Sequence, residues 1–380
     1  MLAAATVAGW VLMVAALLGA LYTLAAASAV ARFFRPSTTV AADFPSVTVL
    51  KPLYQAEPQL SETLETFLGQ DYPAPVQVLL GVQGSDDTAI PIARDLIARH
   101  PAIDIELVVS GRRDGSNPKI ANLTGMMPYA KHGILVLSDS DIGVAPDYLR
   151  KIVGALRQPG VGAVTCCYVG RPMQNFWSKL VAQGIDYHFL PGVVLGTALK
   201  LAKPCLGSTI ALSKAMLEDI GGFDAFRDRL ADDYDIGFAV RARGYNVALP
   251  PMTVTHSCTE TTAGEFFRHE LRWARTIRSV NPAGFAGSAI THAVPLALIG
   301  SALLGFSGPS LGLLAVAIAA RALLKVRIDR ALSRNGTGLW LFPLRDMLSF
   351  AVFVAAFFAG RVEWRGSRFR VRADGDLARE

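Results

Sequence analysis

The sequence predicts an α/β fold, a mostly parallel sheet covered on both faces by helices, with transmembrane helices at the N- and C-terminal ends. Three observations predict it. Apolar strand-like runs alternate with amphipathic helical stretches from Pro45 to about Ser288, two of those runs end in paired acids, and long uncharged apolar segments flank this middle. Composition agrees: at 52% hydrophobic and only 18% charged residues, the 380-residue chain is too apolar for an ordinary soluble enzyme.

The first element, Ala3 to about Ala31, carries no charge, and Arg32 and Arg35 follow it directly. A signal peptide has a basic start and an apolar core of about 7–15 residues. Here no Lys or Arg precedes the run, so a spanning helix over residues 1–35 is expected, with the chain after it in the cytoplasm. The stretch "AAASAVA" resembles a cleavage site and keeps the signal peptide as the alternative.

In the middle, "SVTVLKPL" reads as a strand and "EPQLSETLETFLGQ" as an amphipathic helix. "VQVLLGVQ" is a second strand ending at Asp86-Asp87, followed by the helical "TAIPIARDLIARH", the strand "DIELVVS" and the helix start "NPKIANLTGMM". Then "GILVLSDSD" runs from an apolar strand into Asp139 and Asp141. Acids after a strand also suit a solvated turn, but ligands of such sheets bind outside the carboxyl ends of the strands, where both clusters fall. Hard divalent cations take carboxylate oxygens, so Asp139 and Asp141 are candidate ligands for Mg2+ or Mn2+ holding a phosphate. There is no Gly-x-Gly-x-x-Gly after the first strand and no Walker Gly-Lys-Ser/Thr, which argues against a dinucleotide oxidoreductase and a P-loop ATPase. A third cluster, Asp232, Asp233 and Asp235, opens a late helix, where one acid is ordinary capping and three exceed that need. "FFRHELRWARTIRSV" is a basic amphipathic helix suited to a membrane surface or to packing on the core.

Toward the C-terminus, Ala289–Phe306 and Ser310–Leu324 are apolar runs split by Gly308-Pro309, with Arg275 and Arg278 before them and Lys325, Arg327 and Arg330 after. They are expected to form a membrane hairpin, while the short run Met347–Gly360 suits an interfacial or re-entrant segment. The expected organisation is therefore a transmembrane helix at 1–35, a cytoplasmic sheet domain at 44–288 including an interfacial helix at 263–280, membrane helices at 289–362, and a basic cytoplasmic tail at 363–380. The net charge of +6 gathers beside apolar runs, so a membrane and not a nucleic acid is the expected partner. The four cysteines show no metal-ligand spacing, and a reduced compartment is expected for them.

The ordered set of Asp86-Asp87, Asp139-x-Asp141, Asp232-Asp233 and Arg272-Trp273 resembles the family 2 glycosyltransferases and their D, DxD, (E/T/D)D and (Q/R)xxRW pattern. Within them, "VLKPLYQAEPQLSETLETFLGQDYP", "GVQGSDD", "GSNPKIANL" and "VEWRGSRFRV" are similar to the ceramide glucosyltransferase branch. "DSDIGVAPDYLRKIV", "GSTIAL", "LADDY" and "HELRWARTIR" look like the bacterial glycosyltransferases associated with hopanoid biosynthesis. The resemblance implies a GT-A (nucleotide-diphospho-sugar transferase) fold in a multi-pass protein of the bacterial inner membrane. It implies transfer from a UDP-sugar, UDP-N-acetylglucosamine first, to a lipid hydroxyl of a bacteriohopanetetrol-type polyol, or from UDP-glucose to ceramide.

By the same resemblance Asp87, with Asp86 beside it, would contact the uracil, and Asp139 and Asp141 the ribose-diphosphate and the metal. Lys119 would lie near the diphosphate, Asp233 would be the general base of an inverting transfer, and Arg272 and Trp273 would close over diphosphate and acceptor. One position departs from the motif: His269 stands where the family has Gln or Arg, and it is not counted among the site residues. The reading from another class is a non-catalytic membrane protein that binds or transports lipid.

Overall fold

The computed structural model describes residues 2–35, 43–173, 175–334 and 338–358, and the backbone of strands 361–364, 367–371 and 377–379. In chain order the elements begin with α1 (Leu2–Phe33), β1 (Val47–Pro52), α2 (Leu60–Leu68), β2 (Val76–Val82), α3 (Ala89–Arg99), β3 (Asp104–Val109), α4 (Pro118–Met126) and β4 (Ile134–Leu137). They continue with β5 (Ile142–Gly143), α5 (Tyr148–Leu156), β6 (Val161–Thr165), β7 (Cys167–Pro172), α6 (Phe176–Gly184), α7 (Leu190–Ala198), β8 (Ile210–Ser213), α8 (Lys214–Asp219) and α9 (Asp232–Ala242). Strands β9 (Asn246–Ala248) and β10 (Thr253–Cys258) are followed by α10 (Ala263–Val280), α11 (Pro282–Gly287), α12 (Ala293–Leu303), α13 (Gly308–Ala331) and α14 (Phe342–Ala355).

The chain divides into two compact units. One holds Met1–Arg35, Pro172–Ala202 and Glu260–Arg368; the other holds Pro36–Arg171, Lys203–Thr259 and Phe369–Glu380. The segments 172–202 and 260–288 thus group with the apolar helices.

The second unit carries a seven-stranded sheet in the order β3-β2-β1-β4-β8-β6-β9. Strands β1, β2, β3 and β4 run parallel, as the alternating strand and helix pattern predicts, while β8 lies antiparallel between β4 and β6. The sheet is therefore mixed and mostly parallel. Strand β1 is buried at every position from Val47 to Pro52, so its alternation is lost, as expected for a strand with both faces covered. Under one face Leu50, Leu79, Leu135, Leu137, Leu212 and Ile236 belong to one continuous core. Burial at about 25 cal/mol per Å2 makes such a core the dominant stabilising term and fixes the strand ends rigidly. A second, three-stranded sheet in the order β5-β10-β7 takes in β5, the strand that follows β4 in the chain.

In the other unit α1 packs on α12 and α13 through small residues such as Ala16, Ala293, Ala297 and Ala317. A Cβ at Gly19 would lie 2.1 Å from the Ile290 carbonyl oxygen, so only glycine permits this approach. A π-helical turn, Ile185–Phe189, joins α6 to α7. Helix α1 has the length and apolarity of a membrane span over Ala3–Phe33, with mean hydropathy 2.1. Among the described residues it is the single such helix, or one of two if Pro282–Thr291 and Ala293–Leu303, bent by 65°, form one broken span.

The C-terminal membrane helices expected at 289–362 are thus not established. The arm Ser310–Leu324 is the first part of α13, whose 24 residues also hold Arg321, Lys325, Arg327, Asp329 and Arg330. Three of these charges are paired within the unit: Arg321 forms a buried bidentate pair with Asp346 at 2.9 and 2.6 Å, and Lys325 pairs with Asp329. Much of the expected basic tail at 363–380 lies outside the described residues.

Candidate active site

The site forms where β4 ends. The ladder between β1 and β4 stops at Leu50 opposite Leu137, and the Ser138 N–H still donates to the Leu50 carbonyl at 3.1 Å. Beyond it the chain turns through Asp139, Ser140 and Asp141 into β5. The Ile142 N–H closes this turn on the Asp139 carbonyl at 3.2 Å.

Three other segments converge on the turn. Helix α4 starts with Asn117 as its cap, whose side-chain oxygen accepts from the N–H groups of Lys119 and Ile120 at 2.9 and 3.1 Å. Its amide nitrogen donates to Asp232 at 3.1 Å and to the Arg229 carbonyl at 2.8 Å, tying the α4 start to the α9 start. Lys119, in the first turn of α4, lies 2.7 Å from an Asp139 oxygen and 3.4 Å from Asp232. Burial works against its ammonium, but Asp139, Asp232 and Asp233 outweigh it and hold the Lys119 pKa well above that of an ordinary lysine.

Asp233 accepts from the N–H of Gly207 and from that of Tyr234, each at 2.8 Å. Burial first, and then the neighbouring Asp232, push its carboxyl up to about 6, against the opposing pull of Lys119 and the two N–H groups. Gly207, in the loop before β8, explains how these groups meet. A Cβ there would stand 3.0 Å from Asp139, 3.1 Å from the Lys119 nitrogen and 3.4 Å from Asp233. Gly207→Ala is therefore expected to displace the carboxylates by a few tenths of an ångström and to lower kcat/KM about 10-fold, with the thermal midpoint little changed; a 1 Å misplacement can cost about 100-fold. Steady-state kinetics beside a melting curve checks this.

Asp141 faces a different neighbour. His256 on β10 places its Nε2 3.3 Å from one Asp141 oxygen, and the other oxygen is buried without a hydrogen-bond partner. The His256 ring stacks on Tyr168 of β7, with centroids 5.7 Å apart. Burial, then Asp233, Asp141 and Asp139, hold the Tyr168 hydroxyl well above its ordinary pKa, so it stays a neutral donor.

Behind the turn, Lys51 of β1 is fully buried, and burial lowers its pKa to about 7 despite the attraction of Asp141, Asp139 and Glu57.

Lys119, Asp139 and Asp233 thus meet around Gly207, with Asp141 two residues along the turn. Asp86 and Asp87 lie in the loop between β2 and α3, and β2 is separated from β4 by β1 in the sheet. Asp86 is exposed, whereas Asp87 accepts from the N–H groups of Gln55 and Ala89, each at 2.9 Å, and so ties the loop after β1 to the start of α3.

Arg272 and Trp273 lie on α10, in the other unit. There the Trp273 and His269 rings stand perpendicular with centroids 4.3 Å apart, and His269 pairs with Glu260. Gly207, Tyr168, His256 and Lys51 escaped the sequence reading. For Lys51 a signal existed, a charge inside an otherwise apolar strand; for Gly207, His256 and Tyr168 the sequence holds none.

Among the described residues no group of three or more His, Cys, Asp or Glu side chains is assembled to hold a metal ion. The donors fit one nonetheless, because Asp141 keeps a buried oxygen without a partner. Magnesium-type sites commonly combine one or two carboxylates with substrate phosphates and water.

The chain is similar to ceramide glucosyltransferase 1 of Caenorhabditis elegans, 25% identical over 355 residues that cover 88% of this chain and 73% of that protein. An N-acetylglucosaminyltransferase of Rhizobium leguminosarum bv. viciae is 25% identical over 263 residues, covering 63% of this chain and 58% of that protein. A mannosyltransferase of Pyrobaculum calidifontis, solved with GDP-Man and Mn2+, superposes with TM-score 0.55 at 24% identity over 93% of this chain and 98% of that chain. The fold is that of the GT-A glycosyltransferases. The motifs resemble family 2, but the family model that matches residues 10–377, nearly the whole chain, is that of glycosyl transferase family 21, and the chain belongs to that family.

Proposed function

We propose that this glycosyltransferase is an inverting, membrane-bound enzyme that moves N-acetylglucosamine from UDP-N-acetylglucosamine to a hydroxyl of a hopanoid polyol such as bacteriohopanetetrol. The observation that carries the chemistry is the cluster of Asp139, Lys119 and Asp233 around Gly207, with an unpartnered Asp141 oxygen beside it. Asp139 and Asp141 would hold Mg2+ or Mn2+, which when bound neutralises charge growing on the UDP leaving group. Lys119 stands at Asp139 as a fixed positive charge next to the same phosphates. His256 lies 3.3 Å from one oxygen of Asp141 and leaves the other, which is buried, for the cation.

Asp233 is the general base. Its raised pKa brings it nearer the operating pH, and the N–H groups of Gly207 and Tyr234 fix its two oxygens. It takes the proton of the acceptor hydroxyl as that oxygen attacks the anomeric carbon, and single displacement inverts an α-linked donor to a β-linked product. Asp86 and Asp87 are assigned to the uracil, and Arg272 and Trp273 to the donor and acceptor, by their match to the family motifs.

The lipid acceptor is supported by the ceramide glucosyltransferase relative, and the sugar by the N-acetylglucosaminyltransferase relative and the hopanoid-type motifs. The same relative favours a second reading, glucosylation of ceramide from UDP-glucose. Helix α1, with Arg32 in its last turn and Arg35 just after it, supports an inner-membrane protein with its catalytic unit in the cytoplasm.

The test offers UDP-N-acetylglucosamine and UDP-glucose, each with bacteriohopanetetrol and ceramide, to detergent-purified protein, with products identified by mass and anomeric configuration. A β-linked N-acetylglucosaminyl hopanoid is expected. A glucosylceramide alone would replace the substrate pair, and an α-linked product would remove the inverting mechanism.

A further inference from the structure

Lys51 is a lysine that a strand of this kind does not need. Strand β1 is otherwise Val, Thr, Val, Leu and Pro, all buried, and an aliphatic residue would satisfy the packing. An ammonium in such a place is costly unless every donor finds an acceptor. The acceptors are specific. Lys51 is paired with Leu80 on β2, but it stands one residue beyond the last β1–β4 pair, where β4 leaves the sheet and the aspartate turn begins. Its Nζ donates to the main-chain carbonyl of Asp139 and, at 3.1 Å, to that of Ile142; the Ser138 hydroxyl is 3.5 Å away. The ring of Phe67 from α2 closes the remaining side, 4.2 Å from Nζ to centroid. One side chain thus grips both ends of the turn that carries Asp139 and Asp141, taking carbonyls that the ladder no longer serves.

We propose that Lys51 is a positioning residue for nucleotide-diphosphate binding: it pins the carbonyls of Asp139 and Ile142 so that the two carboxylates keep the spacing a cation and a diphosphate require. It touches neither substrate nor metal and acts through the main chain of the turn. The idea rests on the metal-assisted reading of the site given above. Groups that orient metal ligands from behind typically change metal affinity 10–100-fold when removed.

The experiment uses the full chain in detergent and measures UDP affinity by titration with Mn2+ and with EDTA, for the unmodified protein and for Lys51→Met, with a melting curve for each. Met keeps the apolar stem and loses every donor. In Lys51→Met the Mn2+-dependent gain in UDP affinity is expected to shrink at least 10-fold, while UDP affinity in EDTA stays within about twofold. Lys51→Arg, which keeps charge and donors, is expected to retain more of the gain than Lys51→Met.

A folded Lys51→Met protein whose Mn2+-dependent gain equals that of the unmodified chain overturns the proposal and leaves the function intact, since Lys51 would then serve the fold alone. If Lys51→Met does not purify folded, Lys51→Leu, which likewise has no donor, is held to the same criterion. No Mn2+ effect in the unmodified chain would overturn the metal-assisted reading and the positioning role together.

Discussion

Asp233→Asn is expected to lower kcat by about 100- to 10,000-fold, the range that a positioned general base contributes. UDP binding should survive, because the change leaves Lys119, Asp139 and Asp141 in place. The substitution is not entirely silent in structure. Asp233 uses both oxygens as acceptors, for Gly207 and Tyr234, and the Asn side chain can serve only one of them. A retained UDP affinity therefore separates loss of the base from collapse of the site.

The pH profile gives the same residue a second signature. With the carboxyl raised to about 6, the unmodified enzyme should lose kcat/KM as pH falls through that value, because the base becomes protonated. Stability should move the opposite way. The folded pKa lies above the usual carboxylate value near 4, so the folded protein binds this proton more tightly than the unfolded chain. The stabilisation Asp233 gives when protonated is then complete below about 4 and is lost as pH rises through about 6. Activity and stability should thus cross over one window, and Asp233→Asn should abolish that part of both profiles.

The second large effect belongs to Lys119→Met. Lys119 and Asp232 are both buried, and removing one partner of a buried pair typically costs about 3–5 kcal/mol, because the other charge is left uncompensated. Asp232 retains the Asn117 amide, which places the expectation at the lower end, about 3 kcal/mol. Asp139 loses its closest cation at the same time, so UDP binding in the absence of metal should fall as well. Thermal or urea unfolding, with UDP titration in EDTA, reads both effects. A variant as stable as the unmodified protein would show that Asp232 is solvated and not held by Lys119.

Much of this site was legible along the chain because its acids follow apolar strands. Strands β1 to β4 lie where the sequence puts them, since each is a short apolar run bounded by a helix or a polar turn, and the Asp139–Asp141 turn follows β4 directly. The antiparallel β8 was not legible: "IALS" is an apolar run whose direction depends on where the chain returns, and nothing local encodes that. Gly207 is equally silent, because its role is the absence of a side chain at a point where three others meet. His256 and Tyr168 come from strands more than 80 residues apart in the chain, joined only by the second sheet.

At the other end, apolar runs suggested a membrane hairpin, but α13 continues past its apolar half into Lys325, Arg327, Asp329 and Arg330. Hydropathy alone does not reveal that a charge such as Arg321 will find Asp346, 25 residues further on.

The most direct test of the account is UDP release by the purified full chain, with UDP-N-acetylglucosamine and a hydroxylated lipid acceptor, in Mn2+ and again after EDTA. The account predicts release that needs the acceptor and stops when the metal is removed. Acceptor-dependent release at full rate in EDTA would contradict the role given to Asp139 and Asp141.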